Sequence, residues 1–182
     1  MFGELSGTSV VDADKLGHLA YEKGTECYKQ VIESFGEGVV SEDGSINRRV
    51  LGGIVFGDKD ALKRLESIVW PEIRRMVRAK IQEAIGLGNS VFVLEAAVMI
   101  EAGWQDLVDK LVVVECTREY AIERLKERNN LSLEEAEKRI DSQFSIDQRR
   151  PFADYIIVNE SGIDYLIEES SKIYRMIIPK LF

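Results

Sequence analysis

The sequence predicts an α/β fold built on a mainly parallel sheet, and three observations predict it. Four short apolar runs stand out: SVV at 9–11, SVFVLEA at 90–96, KLVVVEC at 110–116 and DYIIVN at 154–159. They are rich in β-branched residues, with the near-continuous apolar character of strands covered on both faces. Helical segments separate them, and parallel neighbours need such crossovers.

The composition bounds the rest. With 182 residues, 45% of them hydrophobic and 31% charged, the chain reads as one ordered domain over 1–182 rather than a disordered segment. A formal net charge of −8 argues against nucleic acid or an anionic membrane as partner. No apolar run approaches the roughly 18 residues of a membrane span, and MFGELSGTS lacks the basic region and apolar core of a signal peptide. The expected setting is therefore intracellular and cytoplasmic, with the mitochondrial surface or matrix as the alternative. Cys27 and Cys116 stand apart, without metal-ligand spacing, and are expected to be reduced thiols; no resident metal site is expected.

Taken in order, the first run ends on acids in VVDADKLGH (10–18), and a helix should begin near Lys15. The stretch 24–88 holds no convincing strand: CYKQVIESFG, a turn at Asp43-Gly44, INRRVLGGIVF, and ALKRLESIVWPEIRRMVRAKIQEAI. Asn47 and Asp58 suit helix caps, and Pro71 suits the first turn of a new helix. This is too long for a simple crossover and predicts a helical lobe that shapes an acceptor site.

After the third run, Thr117 should cap REYAIERLKER, and Asn129-Asn130 should break it. Ser132 with Glu135 predicts a capping box opening LEEAEKRIDSQF. Residues 118–150 hold eight basic and eight acidic side chains, whereas 1–117 hold 13 and 19. Two short charged helices with little apolar surface can hinge over a site, and their arginines could grip a small anion. A solvated helix pair laced with ion pairs reads the same charge pattern equally well.

Ligands of open parallel sheets bind beyond the carboxyl ends of the strands. Asp12 and Asp14 sit at such an end, where a carboxylate can orient or accept a proton from a substrate hydroxyl. One of them could instead cap the following helix, and one cap needs only one acid. His18, the single histidine, lies one turn after Asp14 on the same helix face and could serve a ligand or simply pack; Tyr21 reads as packing.

Together, VVDADKLGH, Gly24, Tyr28, FGEGVVSEDGSINRRVLGGIVFGD, LESIVWPEI, VFVLEAAVMIEAGW, RLKERNNLSLEEAEKRIDSQ and ADYIIVN resemble the dephospho-CoA kinase family in order and spacing, from about residue 9 to about 160. VWP and EAGWQ look most like the kinase half of eukaryotic bifunctional CoA synthase, which would imply an adenylyltransferase partner domain elsewhere. The resemblance implies a P-loop kinase-like parallel sheet with a helical substrate lobe (24–88) and a lid (118–150). It also implies transfer of the ATP γ-phosphoryl, with magnesium, to the ribose 3′-hydroxyl of dephospho-CoA.

By the same resemblance Asp14 is the hydroxyl-orienting base, with Asp12 beside it. His18, Tyr28, Arg48 and Glu101 would contact substrate. Arg128 would stabilise transferring phosphate, supported by Arg124 and Arg139; the competing reading pairs these arginines with Glu123, Glu127 or Glu135. Glu95 could reach magnesium through water or take a buried hydrogen-bonding role. Arg74, Arg75 and Arg78 read as a solvated face, with anchoring of the CoA pyrophosphate as the alternative.

P-loop kinases open with strand, GxxxxGK[ST] loop and helix. Here only MFGELSGT precedes the acid-tipped strand, as the end of that helix and a turn. GLGNS at 86–90 has no lysine and leads into a strand. The expectation is that the first strand and phosphate loop are missing and that this chain alone is inactive. The alternatives are a non-catalytic binder of CoA or dephospho-CoA, and a kinase of another small metabolite on the same fold.

Overall fold

The computed structural model describes residues 7–178. The expectation that Met1–Ser6 close a helix lies outside them. The chain divides into two compact units, 1–97 and 98–182.

In the first unit, β1 (Thr8–Asp12) pairs in parallel with β2 (Val91–Glu95), Asp12 standing opposite Glu95. The crossover between them contains helices and turns and a single isolated bridge, Val40 to Ile46, but no strand. It comprises α1 (Ala13–Ala20), α2 (Glu26–Phe35), α3 (Arg48–Val55) and α4 (Lys59–Gly86). Asn47 and Asp58 cap α3 and α4 as expected, their Oδ1 atoms accepting from the backbone N–H groups of Val50 (3.1 Å), Asp60 (2.8 Å) and Ala61 (3.2 Å). The core packs α1, α2 and α3 against α4, around Leu16, Val31, Leu51, Val69, Ile73 and Val77. Gly17 lets α1 approach closely: a Cβ there would lie 3.3 Å from Ile73 Cδ1.

Pro71 corrects the sequence reading. It does not start a helix but lies inside α4, which runs unbroken for 28 residues. Proline in a helix interior removes one backbone donor. Here Val69, Ile73 and Val77, buried on either side of it, hold the apolar stripe of α4 in register through that point.

In the second unit, β3 (Val112–Glu115) pairs in parallel with β4 (Tyr155–Val158). α5 (Arg118–Asn129), α6 (Leu133–Asp141) and the short α7 (Ile146–Arg149) connect them, and α8 (Ile163–Ile177) follows. The four expected strands are present, but they are not covered on both faces. Val113, Glu115 and Ile157 are buried, whereas Val114, Ile156 and Val158 are 42–48% exposed. That is the period-two alternation of a strand with one covered face, and α8 packs on β4. Asn130 breaks α5 in the left-handed region (φ 52°), and the Ser132–Glu135 capping box opens α6. Thr117 occupies the cap position of α5 without a side-chain cap; its N–H donates to Glu160 Oε1 (3.3 Å).

Candidate functional site

The acid pair splits into two roles. Asp12 is the cap of α1: its Oδ1 accepts from the N–H groups of Asp14 (3.0 Å) and Lys15 (3.2 Å), and its Oδ2 lies 3.3 Å from Lys15 Nζ. Slight burial opposes its charged form, but the Lys15 and Asp14 amides and the Lys15 ammonium outweigh it and hold the carboxyl below its ordinary value. Both oxygens of Asp12 are thus engaged locally. Asp14 stands exposed in the first turn of α1, at the carboxyl end of β1, and the cap does not use its carboxylate. Glu95, opposite Asp12, is exposed, which removes the buried hydrogen-bonding role considered for it.

One turn further along α1, His18 lines a cleft of about 390 Å³ together with Tyr21, Glu22, Lys23, Ser41, Ser45, Ile46, Asn47 and Arg48. Burial pushes the His18 imidazole below 6.5; the Arg48 charge adds to this, while Asp14 and Asp12 pull the other way. Burial raises the Tyr21 phenol, partly offset by Arg48. Because the unfolded chain binds the His18 proton more readily, this group leaves stability undiminished above pH 6.5 and lowers it as pH falls below that value. His18 is the only histidine, so its imidazole can be followed directly by NMR. Its midpoint should lie below 6.5, Arg48→Met should raise it, and Asp14→Asn should lower it further. A midpoint insensitive to Arg48→Met contradicts the placement of that guanidinium.

Two expected substrate contacts are spent inside the protein. The Tyr28 hydroxyl donates to the Gly44 carbonyl (2.7 Å) and does not line the cleft; it holds the turn that does. Glu101 accepts from the backbone N–H of Phe144 (2.8 Å), and its Oε1 lies 3.8 Å from Arg149 Nε, so it anchors the segment after α6. His18 and Arg48 do share the cleft. Sequence reasoning missed Lys23 and Asn47 as lining residues and gave Tyr21 to packing alone; the only sequence signal was their closeness to His18 and Arg48.

On the α5–α6 pair the expected acidic partners of the arginines do not materialise. Arg128 Nε donates to Asn129 Oδ1 (3.1 Å), Arg124 lies over the Tyr120 ring at 5.8 Å, and Arg139 is exposed. None of the three forms an ion pair with Glu123, Glu127 or Glu135 among the described residues. No residue of α5 is buried and only Ala136 of α6 is. Arg118 of α5 forks onto Asp141 of α6 (2.7 and 3.2 Å), and beyond the pair Arg150 forks onto buried Glu115 at the end of β3 (Nε to Oε2 3.2 Å). In α4, Arg75 forks onto Glu72 at the surface (2.9 and 2.7 Å), in keeping with a solvated face.

The profile of the dephospho-CoA kinase family matches residues 1–165. The chain belongs to the dephospho-CoA kinase family. It is 41% identical over 157 residues to the dephospho-CoA kinase of Bacillus licheniformis, covering 86% of this chain and 78% of that one. To that of Geobacter sulfurreducens it is 36% identical over 176 residues (97% and 89%). Among solved structures, TT1252 from Thermus thermophilus superposes with a TM-score of 0.74 at 28% identity, covering 93% of this chain and 85% of that one. The dephospho-CoA kinase from Campylobacter jejuni gives 0.62 at 29% identity over the same shares. The α/β fold expected from the strand pattern is the one shared with these two solved structures. The named relatives are bacterial, so the particular likeness to eukaryotic bifunctional CoA synthase is not carried forward.

Family membership implies ATP with magnesium. Among the described residues no group of three or more His, Cys, Asp or Glu is placed to hold a metal ion. Magnesium is ordinarily held by one or two carboxylates plus substrate phosphates. Asp12, one of the two acids at the strand ends, is committed to its cap and to Lys15. No helix is long and apolar enough to cross a membrane.

Proposed function

We propose that the chain carries the acceptor half of dephospho-CoA kinase chemistry, the transfer of the γ-phosphoryl of ATP to the ribose 3′-hydroxyl of dephospho-CoA that completes coenzyme A. One observation carries this reading: Asp14 and the His18–Arg48 cleft share α1, one helical turn apart. An acceptor seated in the cleft has its reacting end beside a carboxylate at a strand terminus.

Phosphoryl transfer asks little covalent chemistry of the protein and depends on positioning and charge. Asp14 orients the hydroxyl and takes its proton as the oxygen attacks. Asp12 keeps the strand-to-helix turn rigid, so the Asp14 carboxylate is held rather than swung. Arg128, with Arg124 and Arg139, supplies guanidinium forks whose planar geometry fits phosphate oxygens better than an ammonium does. The free thiols Cys27 and Cys116 fit a reducing, intracellular setting.

The ATP half is a different matter, because no GxxxxGK[ST] occurs in these 182 residues. A second reading of the same cleft is a chain that binds dephospho-CoA or CoA without transferring phosphate. Calorimetry with each ligand tests the acceptor reading shared by both: dephospho-CoA should bind saturably and ATP much more weakly. A chain that binds ATP but no dephospho-CoA contradicts it.

A further inference from the structure

We infer that Lys23 and Arg48 grip the diphosphate of the acceptor, making the cleft at the end of α1 and the start of α3 select diphosphate-bearing nucleotides over bare nucleosides. This rests on the reading of the cleft as the acceptor site. Both side chains line it, and both residues are exposed. Neither has a hydrogen bond or ion pair among the described residues. Elsewhere the basic side chains are commonly committed: Lys15 to Asp12, Lys80 to Glu83, Lys110 to Asp154, Arg118 to Asp141 and Arg150 to Glu115.

Asp43, the acid that feels the Lys23 charge, makes no ion pair with it. Asp43 accepts from the Ser45 N–H (2.9 Å) and hydroxyl (2.7 Å), and Lys23 acts on it only through space. Against the two cations the lining sets one carboxylate, Glu22. Ser41, Ser45 and Asn47 complete it with neutral polar groups.

The two cations are also placed, not merely present. Arg48 is the first residue of α3, fixed by the Asn47 cap. Lys23 lies across the turn at Gly44, where a Cβ would come within 2.6 Å of Nζ; Gly44 itself has φ +79°. The Gly44 N–H donates to the Ser41 carbonyl (2.8 Å), and the Gly44 carbonyl accepts from Tyr28 (2.7 Å). One cation thus comes from the turn after α1 and lies over a clamped turn, and the other comes from a capped helix start. Two separately rooted positive groups suit two adjacent phosphoryl groups, one charge each. Tyr28 acts here as a positioning residue through the turn.

The test is calorimetry of dephospho-CoA, adenosine and inorganic pyrophosphate on the wild type, Lys23→Met and Arg48→Met, with Lys80→Met as a control outside the cleft. Since both residues are exposed, melting temperatures should be unchanged. Each cleft variant should lose at least about tenfold in dephospho-CoA affinity, as expected for a charge-assisted contact. Adenosine binding should stay within about twofold, and Lys80→Met should be neutral. Unchanged dephospho-CoA affinity in both variants overturns the grip and leaves the acceptor reading standing. If the wild type binds pyrophosphate but not dephospho-CoA, and both variants weaken pyrophosphate, the cation pair stands and the acceptor reading falls. Binding of neither overturns both.

Discussion

Incubated with ATP, magnesium and dephospho-CoA, these 182 residues are expected to form CoA at least about 10³-fold more slowly than a kinase carrying a GxxxxGK[ST] loop. In that loop, backbone amides cradle the phosphates, the lysine neutralises them and the Ser/Thr hydroxyl holds magnesium. A single arginine contact to the transferring group is worth about 10³–10⁵ in related chemistry, so losing the whole cradle costs at least as much. The stretch GLGNS at 86–90 cannot replace it. Gly86 ends α4, Leu87 caps it, and Gly88 (φ +75°) turns the chain into the amino end of β2, opposite the end that carries Glu95. Quantifying CoA over time checks this. Formation at ordinary kinase rates would show that the ATP half is supplied by residues of this chain that carry no recognisable loop.

Trp104→Ala should be the most damaging single core substitution, lowering stability by about 3–5 kcal/mol. Trp104 is 2% exposed and the largest fully buried side chain among the described residues, and its backbone N–H donates to the Met99 carbonyl (3.0 Å) beside buried Met99 and Ile100. For a chain of this size the melting temperature should fall by roughly 6–20 °C. The consequence reaches beyond the core. The same segment carries Glu101, whose carboxylate holds the Phe144 amide and faces Arg149. A cavity at Trp104 should therefore loosen the segment after α6, seen as faster amide exchange at Phe144 than at Ala136. A melting temperature within about 2 °C of the wild type would show that Trp104 is not close-packed.

Much of the fold was legible because the deciding interactions are local. The β-branched runs mark four strands, and three helix starts with a side-chain acceptor, at Asn47, Asp58 and Ser132, were readable from spacing, whereas those at Thr25 and Ser145 were not read. The Asn130 break was equally local, since the left-handed region favours asparagine. Pro71 misled because tertiary packing of the α4 stripe overrides the local preference for a break.

The site was less legible for a physical reason. Tyr28 reaches Gly44 across 16 residues and Glu101 reaches Phe144 across 43, and no local pattern encodes such distances. Lys23 looked like any solvated lysine until the turn at Gly44 was seen beneath it. Even at VVDADKLGH, sequence left open which acid caps the helix. Only the hydrogen bonds from the Asp14 and Lys15 amides assign that role to Asp12.

The central claim is that the cleft beginning one turn after Asp14 receives dephospho-CoA. Following the His18 imidazole by NMR while dephospho-CoA is added tests it most directly. The account predicts that the His18 resonances move saturably and that its titration midpoint rises, because a bound diphosphate favours the imidazolium that Arg48 and burial now disfavour. Dephospho-CoA bound to saturation with the His18 signals and midpoint unmoved would place the acceptor elsewhere.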